Sequence, residues 1–470
     1  MSKLLKLTVD RSEKLSLSEQ IRRGIAKAID DGVLEPGARL PSWQDLAVQL
    51  GVARGTVRTA YEKLAAAQLI IGSRAAGTHV ADRPRSLPKT ELSPIAGSFI
   101  ETYLEMTQGP AFFQMGVPAS STMPSTLLAR MRASAVRAEL SAPPLYPDPR
   151  GELELRREIA AYLAVARGIN CSPSQVIIAG GFAGGLGLAL NVLGLQGQST
   201  WFEEPGFPWT RRALELARVV PVPIPVDGEG FNFDHAIRHH PKAKLAVLTP
   251  GQQAPLGATL SLQRRLQLLE WAERNGAWIV EDDYLSELQL TGRAAPALAS
   301  IDTHGRVIHV GSFSKTISPA LRLGFVIAPA ELASRFAEVA ACLSPPPGPS
   351  VQLAISEFIR EGHYLRHLRR IKRAYVAARQ PVLDYFRDAL GPEKISAPGL
   401  SVLLKLPKGA PDVAIARDAL TFGTFPAPLS PWYSSARAAE AGLLLGVATA
   451  PVKNVVRICE RLTEVIARCS

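Results

Sequence analysis

Lys315 stands just past the end of an apolar run, in RVIHVGSFSKTISPALRLGFVIAP (residues 306–329), among small hydroxyl residues and seven positions before Arg322. Ligands of open α/β sheets gather at strand ends, so a lone amine there has three possible uses: nucleophile, phosphate contact or plain surface charge. Other apolar runs also end on polar groups: TWFEEP on Glu203 and Glu204, AWIVEDDY on Asp282 and Tyr284, RVIHVGS on Ser312. Together these residue types define a chemistry. A lysine in a pocket condenses with an aldehyde to a Schiff base. A carboxylate at Asp282 keeps a heterocyclic nitrogen protonated, and the Tyr284 phenol hydrogen-bonds a ring hydroxyl. Ser312, Ser314 and Arg322 offer phosphate donors, joined by the N–H groups of a glycine-rich helix start in AGGFAGG (179–185). An aldehyde, a ring nitrogen and a phosphate on one small molecule describe pyridoxal 5'-phosphate.

These groups must be held by a scaffold, and the chain supplies its pattern from about residue 112 onward. QVIIAG, TWFEEP, VVPVPI, KLAVLTP, AWIVEDDY, RVIHVGS and LGFVIAP read as buried strands, with helical stretches such as LQRRLQLLEWAERNG between them. Apolar strands alternating with helices predict an α/β fold whose sheet is mainly parallel and covered on both faces. At 470 residues the chain exceeds one ordinary core. Residues 82–111 carry four prolines and little periodicity beyond SFIETYLEM, a candidate short helix, and read as a linker. Residues 1–81 and 112–470 are therefore the expected domains.

The first domain is small and basic. Residues 1–90 hold a net charge of +6 out of the chain's +11, which suits either a nucleic-acid contact or a solubilising surface. Ile21, Ile25 and Ile29 recur at helical spacing after a Ser16 or Ser18 cap; Ser42 can cap WQDLAVQL; Gly51 turns into a third helix with Val57, Tyr61 and Leu64 on one face. Arg54 and Arg58 share another face, with Thr56 near the helix start. Two helices around a glycine turn, with Arg and Thr opening the second, make a helix-turn-helix reader. LIIGSRAAGTHVA follows as two short strands, a wing.

The string PGARLPSWQDLAVQLGVARGTVRTAYEKL, with GTHV beyond it, resembles the winged helix-turn-helix of GntR-type bacterial regulators over residues 16–81. By that resemblance Arg39, Ser42, Arg54, Thr56, Arg58 and Gly77 contact double-stranded DNA or form the wing, and Gln44 replaces a usual arginine. LYPDPRGELELRREIAAYL, EEPGFP, LTPGQQAPLGATLSLQRRLQLLEWA, VEDDYLSEL and GSFSKTISPALRLGFVIAP resemble the fold-type I aminotransferase domain that MocR/GabR-type regulators carry behind a GntR module. The resemblance implies a Schiff-base role for Lys315, Asp282 on the pyridine nitrogen, Tyr284 on the ring hydroxyl and Phe207 stacked on the ring. It also implies Ser312, Ser314 and Arg322 on the phosphate, Tyr146 reaching it from a second subunit, and a homodimer reading an operator of two half-sites.

Departures from that pattern separate sensor from enzyme. Ala254 stands where aminotransferases place an asparagine, Gln252 and Leu256 where the regulators place histidine and threonine, and Leu444 where an arginine grips a substrate carboxylate. Phe182 and Ala183 replace small or amide residues in the phosphate cradle. A regulator responding to pyridoxal phosphate, or to its adduct with a small amine or amino acid, is the expected function; an active aminotransferase with an accessory DNA module is the alternative. No apolar run reaches the ~18 residues of a membrane helix, no secretion signal opens the chain, and Cys171, Cys342, Cys459 and Cys469 form no CxxC pair. A cytoplasmic location is expected. His363 and His367 lie four apart on an arginine-rich helix and read as a solvated basic face instead of a metal site.

Overall fold

The computed structural model describes residues 7–13, 15–73, 77–82, 101, 104, 109, 111–435 and 437–469. It divides into two compact units, Met1–Glu101 and Thr102–Ser470. Most of SFIETYLEM lies outside the described residues.

The smaller unit contains three helices, α1 (Leu17–Asp30), α2 (Trp43–Leu50) and α3 (Arg54–Ala66), then the hairpin β1 (Ile70–Ser73) and β2 (Gly77–Val80). The punctuation expected of α2 is present. Ser42 Oγ accepts the Asp45 N–H at 3.1 Å and so caps α2, while Gly51, left-handed at φ 61°, ends it. Ile21 and Ile25 from α1, Leu46 from α2, and Val57, Ala60 and Leu64 from α3 are buried together with Ile70 and Val80 of the hairpin. Tyr61 adds a polar tie, its hydroxyl donating to Pro41 O at 2.9 Å; burial pushes that phenol up to about 12.

The larger unit is built on an eight-stranded sheet. Its strands are β3 (Val176–Ala179), β4 (Ser199–Glu204), β5 (Val220–Asp227), β6 (Gly230–Phe231), β7 (Leu245–Leu248), β8 (Trp278–Asp283), β9 (Val307–Ser312) and β10 (Gly324–Ile327). They lie in the order β3-β10-β9-β8-β7-β4-β5-β6. The run from β9 to β5 is parallel, as expected, whereas β10 is antiparallel to both its neighbours. The cause is the link between β9 and β10, residues 313–323, which holds only a short 3-10 turn, Pro319–Leu321. A parallel return needs a longer crossover, normally through a helix. The chain doubles back instead, and Lys315 and Arg322 lie on that reversal.

Strand residues alternate between two cores. Phe202, Leu245, Val247, Val280 and Ile308 pack with helices Gly181–Leu193 and Ala333–Leu343, and Trp201, Ala246, Leu248 and Ile279 pack with helix Leu262–Asn275. Burial on both faces explains why these strands read as continuous apolar runs. A second, antiparallel sheet follows: β11 (Ile395–Ser396), β12 (Ser401–Lys405), β13 (Ala427–Pro428) and β14 (Gly442–Gly446), ordered β11-β12-β14-β13. Among the described residues no helix is long and apolar enough to cross a membrane.

Candidate cofactor site and nucleic-acid interface

Asp282 occupies the end of β8, buried at 8% exposure, and its Oδ1 has no hydrogen-bond partner. Burial, with the carboxylates of Asp283 and Glu203 nearby, holds its pKa well above the usual range, although Lys315 works in the opposite direction. A buried acceptor without a donor is costly and rare in folded proteins, and a protonated ring nitrogen is the donor that would satisfy it. Asp282 lines a small cleft with Phe182, Glu203, Phe207 and Thr249. Glu203 Oε2 accepts the Thr249 hydroxyl at 2.5 Å, and burial pushes the Glu203 carboxyl up to about 7. Tyr284, two residues beyond Asp282, is half-buried, and burial raises its phenol well above the ordinary value.

The Lys315 amine donates to Gly116 O at 2.9 Å. Enclosure lowers its pKa to about 8, against an opposing pull from Asp282. Gly116 makes room for it: at φ 80° the residue is left-handed, and a Cβ there would stand 2.7 Å from Lys315 Nζ. The phosphate donors also converge. Ser312 Oγ and Ser314 Oγ are 2.9 Å apart, Arg322 Nη2 donates to Gly180 O at 3.1 Å, and a Cβ on Gly181 would lie 3.9 Å from Ser314 Oγ. Gly180 is the N-cap of helix Gly181–Leu193 with no side-chain cap bond, so the first-turn N–H groups of Gly181, Phe182 and Ala183 remain available to an anion. The residues present therefore fit pyridoxal phosphate: an aldehyde-reactive amine, an unpaired acid and an open anion cradle. Tyr146, expected to reach the phosphate from a second subunit, is fully exposed in the single chain, as is most of Leu145 beside it.

Behind Asp282 lies a network that sequence reasoning missed. Glu281 and Asp283, pointing away from Asp282 by strand alternation, are both buried. Glu281 Oε2 sits 2.9 Å from His309 Nδ1, His309 Nε2 lies 3.9 Å from Asp283 Oδ2, and Arg167 Nε donates to the same Asp283 oxygen at 2.9 Å. Burial alone would lower the His309 pKa, but the bonded Glu281 carboxylate and nearby Asp283 raise it. The signal was a histidine inside the otherwise apolar run RVIHVGS. A second correction concerns His367, which is not on a solvated face. It is buried, and its Nε2 lies 2.7 Å from Thr316 O, so that nitrogen carries the proton and donates. Tyr364 OH donates to Thr316 Oγ1 at 3.2 Å. The helix His363–Leu390 thus holds the residue that follows Lys315.

In the smaller unit, the outward face of α3 carries exposed Arg54 and Arg58 around half-buried Thr56. Arg58 is paired with Glu62 at 2.9 Å, whereas Arg54 and Arg39 have no carboxylate partner among the described residues. Arg39 bridges to His79 of the wing through its backbone, and its guanidinium lies over Gly77, where a Cβ would come within 3.3 Å of Nε. Ser42 spends its hydroxyl on the α2 cap, and Gln44 is exposed on the first turn. An open cleft between the starts of α1 and α3 is lined by Ser16, Ser18, Gly55, Thr56 and Thr59. Ser16 stands at the N-cap position of α1 but makes no side-chain cap bond; the Glu19 N–H is met by the Ser16 carbonyl at 2.9 Å instead.

Residues 17–80 match the family model of bacterial regulatory proteins of the gntR family, and residues 116–397 match that of aminotransferase class I and II. The chain is 34% identical to the probable rhizopine catabolism regulatory protein MocR of Rhizobium meliloti, over 80% of this chain and 78% of the relative. The chain belongs to the MocR/GabR-type regulators of the GntR family. It is also 33% identical to the pyridoxine biosynthesis transcriptional regulator PdxR of Corynebacterium glutamicum, over 79% of this chain and 78% of that one. An archaeal alanine:glyoxylate aminotransferase shares the fold of the larger unit at TM-score 0.71 and 24% identity, covering 78% of this chain and 93% of that structure. Ala254 and Leu444, the departures from the aminotransferase pattern, are both buried in one apolar cluster with Leu403, Ala427, Leu429 and Trp432.

Proposed function

We propose that this MocR/GabR-type chain is a DNA-binding transcriptional regulator whose larger unit holds pyridoxal 5'-phosphate and responds to it, or to its adduct with an amine. The observation that carries this reading is the unpartnered Asp282 carboxyl enclosed in the same site as Lys315, in a chain that also bears a winged helix. When bound, pyridoxal phosphate supplies an aldehyde that condenses reversibly with amines. Lys315 contributes the reactive amine: with a pKa of about 8, its neutral fraction at pH 7 is roughly 300-fold that of an ordinary lysine. Asp282 retains the ring proton, Tyr284 meets the ring hydroxyl, and Ser312, Ser314, Arg322 and the N–H groups from Gly181 onward take the phosphate. Phe207 forms the apolar wall beside the ring.

The winged helix reads double-stranded DNA through α3, with Arg54, Thr56 and Arg58 toward the groove and Arg39 with Gly77 at the wing. A homodimer places two such readers on half-sites separated by whole helical turns. A second copy also gives the exposed Leu145–Tyr146 segment something to cover. Cofactor occupancy then alters DNA affinity because the states differ in free energy of binding. Amino-acid turnover is at most weak, since Leu444 cannot clamp a carboxylate and Ala254 cannot hydrogen-bond the ring.

A gel shift on the DNA upstream of the chain's own gene, with and without pyridoxal phosphate, comparing wild type with Lys315→Ala, tests the proposal. A cofactor-dependent shift lost in Lys315→Ala is expected; identical shifts in all four lanes would end it. Rapid conversion of amino donors to keto acids by the purified protein would favour the aminotransferase alternative.

A further inference from the structure

Leu444 pairs across β12 with Leu403 and across β13 with Ala427, so the three side chains form one row on one face of the small sheet. Their strand neighbours Val402, Leu404, Leu443 and Leu445 enter the main core on the opposite face. Ala254 and Trp432 complete the row into a cluster, against which Met115, Phe207 and Tyr284 pack. Phe207 and Tyr284 flank the proposed cofactor position. Met115 precedes Gly116, whose carbonyl receives the Lys315 amine at 2.9 Å. Through Phe207, Tyr284 and Met115 the cluster adjoins the proposed cofactor position, and it is the wall that a substituent of an incoming amine would meet there. Leu403 and Leu444 are 2% and 0% exposed, and no Lys or Arg occupies the row. Trp432 Nε1, buried without a partner, is a single neutral donor. A carboxylate placed there would lose its water and gain no cation, which is strongly unfavourable.

Building on the cofactor reading above, we propose that the effector is a primary amine with an apolar body and no carboxylate, an alkyl or aralkyl amine, selected by the row Leu403–Leu444–Ala427 together with Ala254. Amino acids are excluded by the same surface. The preference is a property of the pocket, because in water an amino acid has the less basic amine and condenses with aldehydes at least as readily.

The test uses full-length protein loaded with pyridoxal phosphate and matched pairs differing only in the carboxylate: 3-methylbutylamine against L-leucine, and 2-phenylethylamine against L-phenylalanine. The readout is the visible absorption of the bound cofactor, with Lys315→Ala as the reference lacking the lysine. Each amine is expected to half-saturate the change at a concentration at least tenfold below that of its parent amino acid. Equal or tighter response to the amino acids overturns the inference, as does no response to either. Leu444→Arg is expected to move the preference at least tenfold toward the amino acids, and Leu444→Met to leave it in place. If Leu444→Arg fails to hold the cofactor, the wild-type pairs still decide the question. Wild type that never binds pyridoxal phosphate would instead overturn the cofactor reading itself.

Discussion

Replacing Lys315 by methionine isolates the energetic penalty of the reactive amine. The ordinary lysine pKa of 10.5 falls to about 8 here because the amine is enclosed. At pH 7 the folded protein holds that charge at a penalty of about 3 kcal/mol relative to the unfolded chain, taking ~1.4 kcal/mol per pKa unit. The sign follows from proton counts: between pH 8 and 10.5 the unfolded chain binds more protons than the folded one, so wild-type stability rises with pH across that window. Lys315→Met has no such term. It loses the bond to Gly116 O, about 1 kcal/mol and independent of pH. Without cofactor, the variant should therefore be the more stable protein at pH 7 by roughly 2 kcal/mol, and the advantage should vanish by about pH 10. Urea unfolding followed by tryptophan fluorescence measures this, since Trp201, Trp209, Trp271, Trp278 and Trp432 all lie in the larger unit. A stability difference that stays constant from pH 7 to pH 10 would refute the enclosed, easily deprotonated amine.

Asp282→Asn should weaken pyridoxal phosphate binding about 10- to 150-fold, the worth of a charge-assisted bond of ~1.5–3 kcal/mol, while stabilising the cofactor-free protein near neutral pH; absorption titration and unfolding curves read the two effects. His367→Ala should cost about 1–3 kcal/mol by leaving the Thr316 carbonyl without a donor. In wild type, the pKa of His367 is lowered by burial. Its contribution is thus present above pH ~6.5 and lost as pH falls through the depressed value, which a pH series of unfolding midpoints checks against the variant. In the smaller unit, Arg54→Ala should cost ~1–3 kcal/mol in operator affinity if it meets a base, or flatten the salt dependence by about one phosphate if it does not; fluorescence anisotropy at several salt concentrations distinguishes them. Gly77→Ala should lower both stability and DNA affinity by about 1 kcal/mol or more, because the left-handed backbone disfavours a side chain there and the Arg39 guanidinium occupies its space.

What the sequence disclosed and what it hid follow from the range of each interaction. Lys315 and Asp282 stood out because their types are rare at the ends of apolar runs, Phe207 only through the family resemblance, and Ser42, Val57 and Tyr61 because caps and helical spacing are local. The ties of Glu281 and Asp283 to His309 and Arg167 depend on the β8–β9 register and on helix Leu153–Arg167, far away in the chain. The Leu403–Leu444–Ala427 row likewise exists only once three strands are aligned; Leu444 alone signalled a missing clamp, not the apolar wall that replaces it. His367 was within reach: Tyr364, Leu368, Ile371 and Tyr375 form a buried stripe at helical spacing that includes it.

Coupling between cofactor and DNA is the central claim, and thermodynamic linkage makes it directly measurable. The affinity of the full-length protein for an operator fragment should differ with and without pyridoxal phosphate. The affinity for pyridoxal phosphate should differ with and without the fragment by the same factor, about 5- to 150-fold for a coupling of ~1–3 kcal/mol. In Lys315→Ala the factor should collapse to one. A factor of one in wild type, with cofactor and DNA both bound, would contradict the account.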